Sequence, residues 1–401
     1  MSSSALIAAT ITRPQALTCT DMSQKDTSVQ DQLKTYYGKR LKRSEDLQTD
    51  VACYKTCTPL SKSAADAMRL IHPEVTQRYF GCGLVVPESL ERCHVLDLGS
   101  GSGRDCYILS KLVGPNGHVT GVDMTDELIQ LSRKYISYHQ EKFGYKETNT
   151  EFIQGYIEKL GEAGIQYNKF DVLVSNCVIC LCPDKKAVFA EAYRALKEGG
   201  EMYFSDMYAS EPVDEKLKED SVLWGEGLAG ALYWKDLISL VKELGFSTPY
   251  LVSASHIEIQ KAELLRKTGD VKYASGTYRF FKLPFCGTDE RALVTYKGTV
   301  TDHQEKLTFD SVHTFEKDKT VAVDGELALV LKISRFAPHF IVQPAECKVP
   351  VKDGAQQYCH LNPFQLADKL GSSIQKCSKT QKDGPCEDQT EATRKCVETK
   401  S

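Results

Sequence analysis

The stretch Val95-Leu-Asp-Leu-Gly-Ser-Gly-Ser-Gly-Arg-Asp105 restricts the folds open to this chain more than any other. A short apolar run, Val95-Leu96, leads into Asp97, and glycines follow at alternate positions, Gly99, Gly101 and Gly103. The pattern predicts a buried strand that ends in a loop. There the backbone must bend sharply and approach a ligand closely, and only glycine lacks the Cβ that would block both. A helical pattern follows from Cys106 to Val113. Strand, glycine loop and helix make the first nucleotide-binding unit of a doubly wound α/β sheet.

The glycine spacing separates two cofactor classes. A dinucleotide site needs G-x-G-x-x-G to set a pyrophosphate on the helix N-terminus. Counted from Gly99 the third glycine falls on Arg104, and counted from Gly101 it falls on Cys106, so neither frame works. An acid two residues before a G-x-G-x-G run resembles instead motif I of the S-adenosylmethionine (SAM) methyltransferases, whose ligand at this loop is an amino acid bearing a sulfonium. A second strand, His118-Val-Thr-Gly-Val-Asp-Met124, ends in Asp123. A carboxylate there is placed to accept both ribose hydroxyls. The competing interpretation is a glycine-rich turn without a ligand, with Asp123 an ordinary helix N-terminal acid; two correctly spaced elements weigh against it.

Composition excludes several functions. Charged residues are 26% of the 401 and the net charge is −4, so no broad basic field points to nucleic acid. No apolar run approaches the length of a membrane span. Residues 1–29 are expected to be a disordered leader, Ser/Thr/Ala-rich with a single arginine, Arg13, and no acid before Asp21. Without a secretory signal, the 15 cysteines predict thiols in a reducing, cytoplasmic compartment, serving metal binding or redox chemistry rather than a disulfide scaffold. Cys106 reads as a small buried hydrophobe. Cys177-x-x-Cys180 is a lone pair, and zinc would need two further ligands.

Along the chain, a helical, thiol-bearing segment is expected over 30–90 and a methyltransferase-like core over 91–210. A substrate-binding region that completes the sheet follows over 211–285, then a small α+β domain over 286–344 and a disordered polar tail over 345–401. Strands are expected near 94–98, 118–123, 150–154, 170–175 and 200–206, joined by right-handed crossovers in a parallel sheet. Helices are expected near 104–113, 126–143 and 184–197, with Asp184 as an N-cap and Gly199-Gly200 as a stop. Residues 234–245 read as helix, and Thr277–Leu283 as the last strand of the sheet. A helix is expected near 325–335.

Particular strings narrow the class. Phe170-Asp-Val-Leu-Val-Ser-Asn-Cys-Val-Ile-Cys-Leu-Cys-Pro-Asp184 puts Asn176 and Cys177 at the C-terminal end of the fourth strand, the edge where ligands sit in open α/β sheets. With Tyr79-Phe-Gly-Cys82-Gly, the loop around Cys53, Gly155-Tyr-Ile-Glu-Lys-Leu160, Tyr203-Phe-Ser-Asp206 and Gly230-Ala-Leu-Tyr-Trp234, this resembles the arsenite methyltransferase family from about Leu33 to Leu283. The resemblance implies a Rossmann-like SAM methyltransferase sheet with a smaller C-terminal α+β domain. It implies SAM contacts from Asp97, Gly99, Ser100, Gly101, Gly103, Asp123, Met124, Ile157, Glu158 and Asn176. It implies that Cys53, Cys82 and Cys177 are the catalytic thiols that hold As(III), with arsenite and methylarsonite as substrates. A thiol reductant, glutathione or thioredoxin, is implied as well. Thiolates suit soft trivalent arsenic. The arsenic lone pair carries no proton to remove, so no side-chain base is needed and catalysis becomes largely positioning.

Two residues depart from the family. The Trp-Gly-Glu-Cys string common there reads Trp224-Gly-Glu-Gly227, and Phe80 stands where tyrosine is common. Cys57, Cys180 and Cys182 are the thiols open to replace the missing one, although Cys180 and Cys182 read first as core filling at a strand-to-helix junction. On that reading, activity falls, monomethylated arsenic accumulates, and Gly227→Cys shifts the product toward dimethylated arsenic. Two other functions stay open: methylation of a carbon or nitrogen nucleophile, for which His72 and His94 are poorly placed bases, and arsenite or soft-metal binding without turnover.

Overall fold

A computed structural model describes residues 29–49, 60–83, 85–284, 291–345 and 359–371. The sequence-predicted thiols Cys53 and Cys57 lie outside these residues, as do residues 1–28 of the expected leader.

The N-terminal segment comprises helix α1 (29–35), a π-helical turn over Tyr36–Arg40, α2 (Lys62–Met68) and α3 (Pro73–Gln77). The core then alternates: β1 (His94–Leu98), α4 (Arg104–Val113), β2 (His118–Asp123), α5 (Asp126–Lys134), α6 (Ile136–Phe143), β3 (Thr150–Gln154), β4 (Phe170–Asn176), α7 (Lys185–Ala195) and β5 (Leu196–Ala209). After it come α8 (Ser221–Gly225), β6 (Leu232–Tyr233), α9 (Trp234–Glu243), β7 (Tyr250–Ile257), α10 (Ala262–Thr268) and β8 (Tyr273–Phe281). The strand order is β3-β2-β1-β4-β5-β8-β7, with β6 beside β5. β1 to β5 pair in parallel, while β8 is antiparallel to both β5 and β7. Strands β1 and β4, interior to the sheet, carry the nearly unbroken apolar runs that a sheet covered on both faces requires.

Four expectations are corrected. The sheet is mixed rather than parallel, and β8 lies inside it; the edge strand is β7, whose Ser253-Ala-Ser-His256 stretch gives too weak an apolar alternation to announce it. The helix expected over 126–143 breaks at Tyr135, whose φ of −105° and ψ of 11° leave the helical range. Asp184 does cap α7, accepting from the Ala187 amide at 2.9 Å, but the helix ends at Ala195. Gly199, at φ +75°, falls where the β4–β5 register slips, not at the helix terminus. The tail expected to be disordered over 345–401 contains helix α12 (Pro363–Gly371), packed on β7 and β8, with Leu361 and Ala367 buried and the Leu361 carbonyl accepting from Tyr278 Oη at 2.7 Å. Its polar surroundings masked the apolar positions Leu361, Phe364 and Ala367.

The smaller domain holds a three-stranded sheet of β12 (Thr320–Val323), β9 (Ala292–Tyr296) and β13 (Phe340–Pro344), a hairpin of β10 (Lys306–Thr308) and β11 (Thr314–Glu316), and α11 (Gly325–Ile333). Asp324 caps α11 through the Leu327 amide. The domain's core of Phe309, Phe315, Leu331 and Phe336 is continuous with Tyr250 on β7 and Phe281 on β8. At the junction Glu201 is wholly buried and pairs with Arg279 at 2.5 Å and with Arg335, while Arg279 also reaches Glu88 at 3.1 Å. Among the described residues no helix is long and apolar enough to cross a membrane.

Candidate active site

The strand order reverses direction between β1 and β4, and in doubly wound sheets the ligand crevice opens at the carboxyl ends of such a strand pair. Here those ends deliver Asp97 with its glycine loop and Asn176-Cys177. Backbone amides of Gly99 and Ser100 donate to the Val122 carbonyl at 2.8 and 3.0 Å, which fastens the loop to β2. Asp123 accepts from the Gly101 amide at 2.9 Å and from the Thr125 amide at 2.8 Å. Gly101 has φ +53° and nothing within 4 Å of where a Cβ would stand, so the loop leaves an open cradle.

The cavity beside this loop is lined by nine of the ten cofactor residues expected from the sequence: Asp97, Gly99, Ser100, Gly101, Asp123, Met124, Ile157, Glu158 and Asn176. Gly103 does not line it. At φ +85° it starts α4, and a Cβ there would meet the Phe152 ring and Ser132, so glycine serves the turn and the helix packing.

Asp97, Asp105, Asp123 and Glu158 all border the cavity, with two cations: Arg104, held by Asp105 at 2.8 Å while lying over the Tyr79 ring, and Arg78, which donates to the Tyr37 and Gly38 carbonyls. A pocket so rich in carboxylates suits a cationic ligand bearing hydroxyls and repels a pyrophosphate. With the open cradle at Gly101, a buried Ser100 Oγ lacking a hydrogen-bond partner, and Asp123 placed for a ribose, the residues fit SAM.

Burial, reinforced by the nearby charge of Asp105, pushes Asp97 up to about 8. The thiol of Cys106, expected only to fill core, donates to Asp97 at 3.1 Å. Binding a cation requires the ionised carboxylate. SAM affinity is therefore expected to rise as pH increases from 6.5 to 9, by up to about tenfold per unit below the pKa. In Asp97→Asn calorimetric titration should show a weaker and flatter profile. The folded-state pKa lies above the unfolded value, so this group's contribution to stability is complete below about pH 4 and is lost as pH rises toward 8. Without SAM, Asp97→Asn should be more stable than the native protein at pH 8. A pH-independent native affinity would remove Asp97 from the ligand.

Of the thiols expected to hold arsenic, Cys177 lines the same cavity. Asn176 uses its whole amide to hold the segment that carries Cys82. Its Oδ1 accepts from the Cys82 and Gly83 amides at 3.0 and 3.2 Å, and its Nδ2 donates to Tyr79 Oη, the Gly83 carbonyl and Asp105 Oδ2. It borders the cavity, yet these bonds make it the clamp of Cys82 more than a ligand contact. Cys177 has φ +59°, in a region that side-chain-bearing residues rarely adopt. Its thiol is in hydrogen-bonding reach of Cys180 and Cys82, and these contacts with burial push it well above the usual thiol range. Cys82 Sγ lies 3.6 Å from Ser205 Oγ, and the Cys82 carbonyl accepts from Ser275 Oγ. Cys82 borders a second, wider cleft shared with Ser275, Thr277 and the C-terminal domain, while Cys177 lines the SAM cavity, so this pair of thiols joins the two.

Sequence reasoning missed Glu226. Buried at the end of α8, it accepts from Tyr36 Oη at 2.6 Å, the Gln48 amide at 3.0 Å and Thr49 Oγ1 at 3.0 Å. It thereby anchors the chain four residues before Cys53. The signal was present as an acid inside the Trp224-Gly-Glu226 string, read there only for the residue that follows it.

A SAM cavity at the switch point of a Rossmann-like sheet, facing cysteines from a separate segment, defines a SAM-dependent methyltransferase with a thiol-lined acceptor site. Comparison agrees: residues 89–245 match a methyltransferase domain model, and residues 289–393 match the model of the arsenite methyltransferase C-terminal domain. The human arsenite methyltransferase is 48% identical over 366 residues, covering 90% of this chain and 97% of that protein. The enzyme of Aquipseudomonas alcaligenes is 45% identical, covering 77% and 89%. The crystal structure of an arsenic(III) SAM methyltransferase from Chlamydomonas reinhardtii superposes with a TM-score of 0.69 at 40% identity, covering 72% of this chain and 98% of that one. The chain belongs to the arsenite methyltransferase family.

Proposed function

We propose that this chain transfers methyl groups from SAM to trivalent arsenic held by cysteine thiolates, giving mono- and dimethylated arsenicals in the cytoplasm. The observation that carries it is the placement of Cys82 and Cys177, side by side where the SAM cavity meets a second cleft. Arsenite enters as a hydroxide. As each thiol binds, an S–H and an As–O bond break while an As–S bond and water form, so no external base is called for. When bound, SAM supplies a methyl on a sulfonium, which the arsenic lone pair displaces in line. The chain's own part is positioning: Asn176 fixes Cys82, the left-handed backbone at Cys177 turns that residue out of the strand, and the glycine loop seats the methyl donor. Holding the reactants at a near-attack distance of roughly 3–3.5 Å contributes several kcal/mol. Donation of the lone pair leaves pentavalent arsenic. A thiol reductant, glutathione or thioredoxin, returns it to the trivalent state as two thiols become a disulfide. Cys53, which the family resemblance also names, is the third proposed functional thiol.

Among the groups lining the cavity no His is present, and the carboxylates are buried around the glycine loop, which disfavours a carbon or nitrogen nucleophile that needs deprotonation. The protein with methyl-labelled SAM, arsenite and either reductant is expected to yield labelled mono- and dimethylarsenic on speciation. Arsenite bound without labelled product would leave a thiol binder; labelled product on an organic acceptor alone would overturn the arsenic assignment.

A further inference from the structure

Gly227 stands where the family commonly has a cysteine, and the structure shows what occupies its surroundings. A Cβ built on Gly227 would lie 3.0 Å from Cys180 Sγ and 3.4 Å from Met207 Cε. The sulfur that the sequence assigned to core filling therefore fills the space beside the missing side chain. Cys180 Sγ, Cys177 Sγ and a carboxylate oxygen of Asp206 all lie within 4.8 Å of one another, and the Cys177 thiol also interacts with that of Cys82.

We propose that Cys180 supplies the third thiolate of the arsenic site, so that Cys82, Cys177 and Cys180 hold the metalloid and the thiol lost at position 227 is replaced from the opposite wall. This rests on the arsenic function proposed above and puts Cys180 in place of Cys53 as the third ligand of arsenic. Three sulfurs are the donor set a trigonal pyramidal, soft As(III) takes. Each of the three thiol protons leaves with one arsenic hydroxyl as water, with no change of oxidation state.

The backbone around Cys180 is fixed from several directions. Amides of Ile179 and Cys180 donate to Asp206 at 2.8 and 3.2 Å, and Trp224 Nε1 donates to the Leu181 carbonyl at 2.8 Å. Gly230 packs so closely on the Cys180 carbonyl that a Cβ there would come within 1.9 Å of it. The neighbouring Cys182 differs: it borders the SAM cavity, and its thiol donates back to the Val178 carbonyl of its own turn, 3.5 Å away. The assignment also changes the expectation for position 227. A cysteine there, at φ +79°, would strain the backbone and crowd a sulfur already in place, so Gly227→Cys alone should bring no gain.

X-ray absorption at the arsenic edge of the arsenite-loaded full-length protein, with arsenite titration in parallel, tests this. The native protein and Cys53→Ser are expected to show three sulfurs on arsenic. Cys180→Ser should show two, with arsenite affinity lowered roughly 100-fold and SAM affinity kept as the control for folding. Cys180→Ala combined with Gly227→Cys, in which the new thiol enters the vacated space, should restore the third sulfur. Three sulfurs and native affinity in Cys180→Ser would overturn the proposal, as would loss of a sulfur in Cys53→Ser with none lost in Cys180→Ser. Retention of zinc in place of arsenite by the native protein would do the same. Failure of the native protein to bind arsenite at all would instead strike the parent function.

Discussion

Cys177→Ser is expected to lower arsenite methylation at least about a thousandfold, roughly 4 kcal/mol of transition-state stabilisation, while SAM affinity stays within about twofold. In the proposed reaction Cys177 belongs to both halves: it lines the SAM cavity and its thiol interacts with those of Cys82 and Cys180. Serine replaces a soft sulfur with a hard hydroxyl that stays protonated, so the arsenic loses the ligand that joins the other two. The substitution is otherwise mild. Serine meets the same backbone constraint at φ +59°, and the amide that donates to the Ser205 carbonyl at 2.8 Å is unchanged. Calorimetric SAM titration beside turnover with arsenic speciation separates the two effects. Turnover retained within tenfold would exclude Cys177 from the arsenic.

Glu201→Ala is expected to destabilise the protein by about 3–5 kcal/mol, read as a lowered denaturant midpoint. Burial opposes the Glu201 charge, but the guanidinium groups of Arg279 and Arg335 outweigh it and hold the carboxyl below its ordinary range. This contribution to stability is present above the unfolded carboxylate pKa of about 4.3 and is lost as pH falls below it. Removing Glu201 leaves Arg279 wholly buried with only Glu88 and the Phe309 carbonyl to face two cations, in contact with Phe309 and Phe336 of the C-terminal domain. The penalty is that of an uncompensated buried charge, larger than the pair's net worth. SAM affinity below the melting range should not change, because the cluster lies at the far side of β5 from the glycine loop. A midpoint shift worth less than about 1 kcal/mol would show that water or a rearranged Glu88 neutralises the pair.

The SAM half of the site was legible in the sequence because its determinants are local. Asp97, Gly99 and Gly101 lie within five consecutive residues, and Asp123 ends the next strand, so strand–loop–helix geometry alone brings them together. Periodicity likewise placed β1 to β5, α4, α7 with its Asp184 cap, and α9 to within a few residues. Cys82 and Cys177 were named from specific strings. The expectations failed where neighbours distant in sequence decide the outcome. β7 was missed since its pairing with β8, rather than its own weak alternation, makes it a strand. Asn176 borders the cavity as expected, but that its amide also holds Tyr79, Cys82 and Gly83, more than ninety residues earlier in the chain, could not be read locally.

By itself, then, the sequence determined the strand, glycine loop and helix of the nucleotide-binding unit, since spacing along one strand and loop fixes these without reference to the rest of the chain. Only the tertiary structure decided how the thiols are grouped. Cys180 and Gly227 are separated by 47 positions, counting from 180 to 227, and no local pattern relates them. The packing of the segment after β4 against the end of α8 sets a Cys180 sulfur 3.0 Å from the Cβ position of Gly227. Side chains held by two different backbone segments meet, or fail to meet, only through the packing of those segments. The proposed replacement of one thiol by another therefore rests on the fold, and no local pattern could have suggested it.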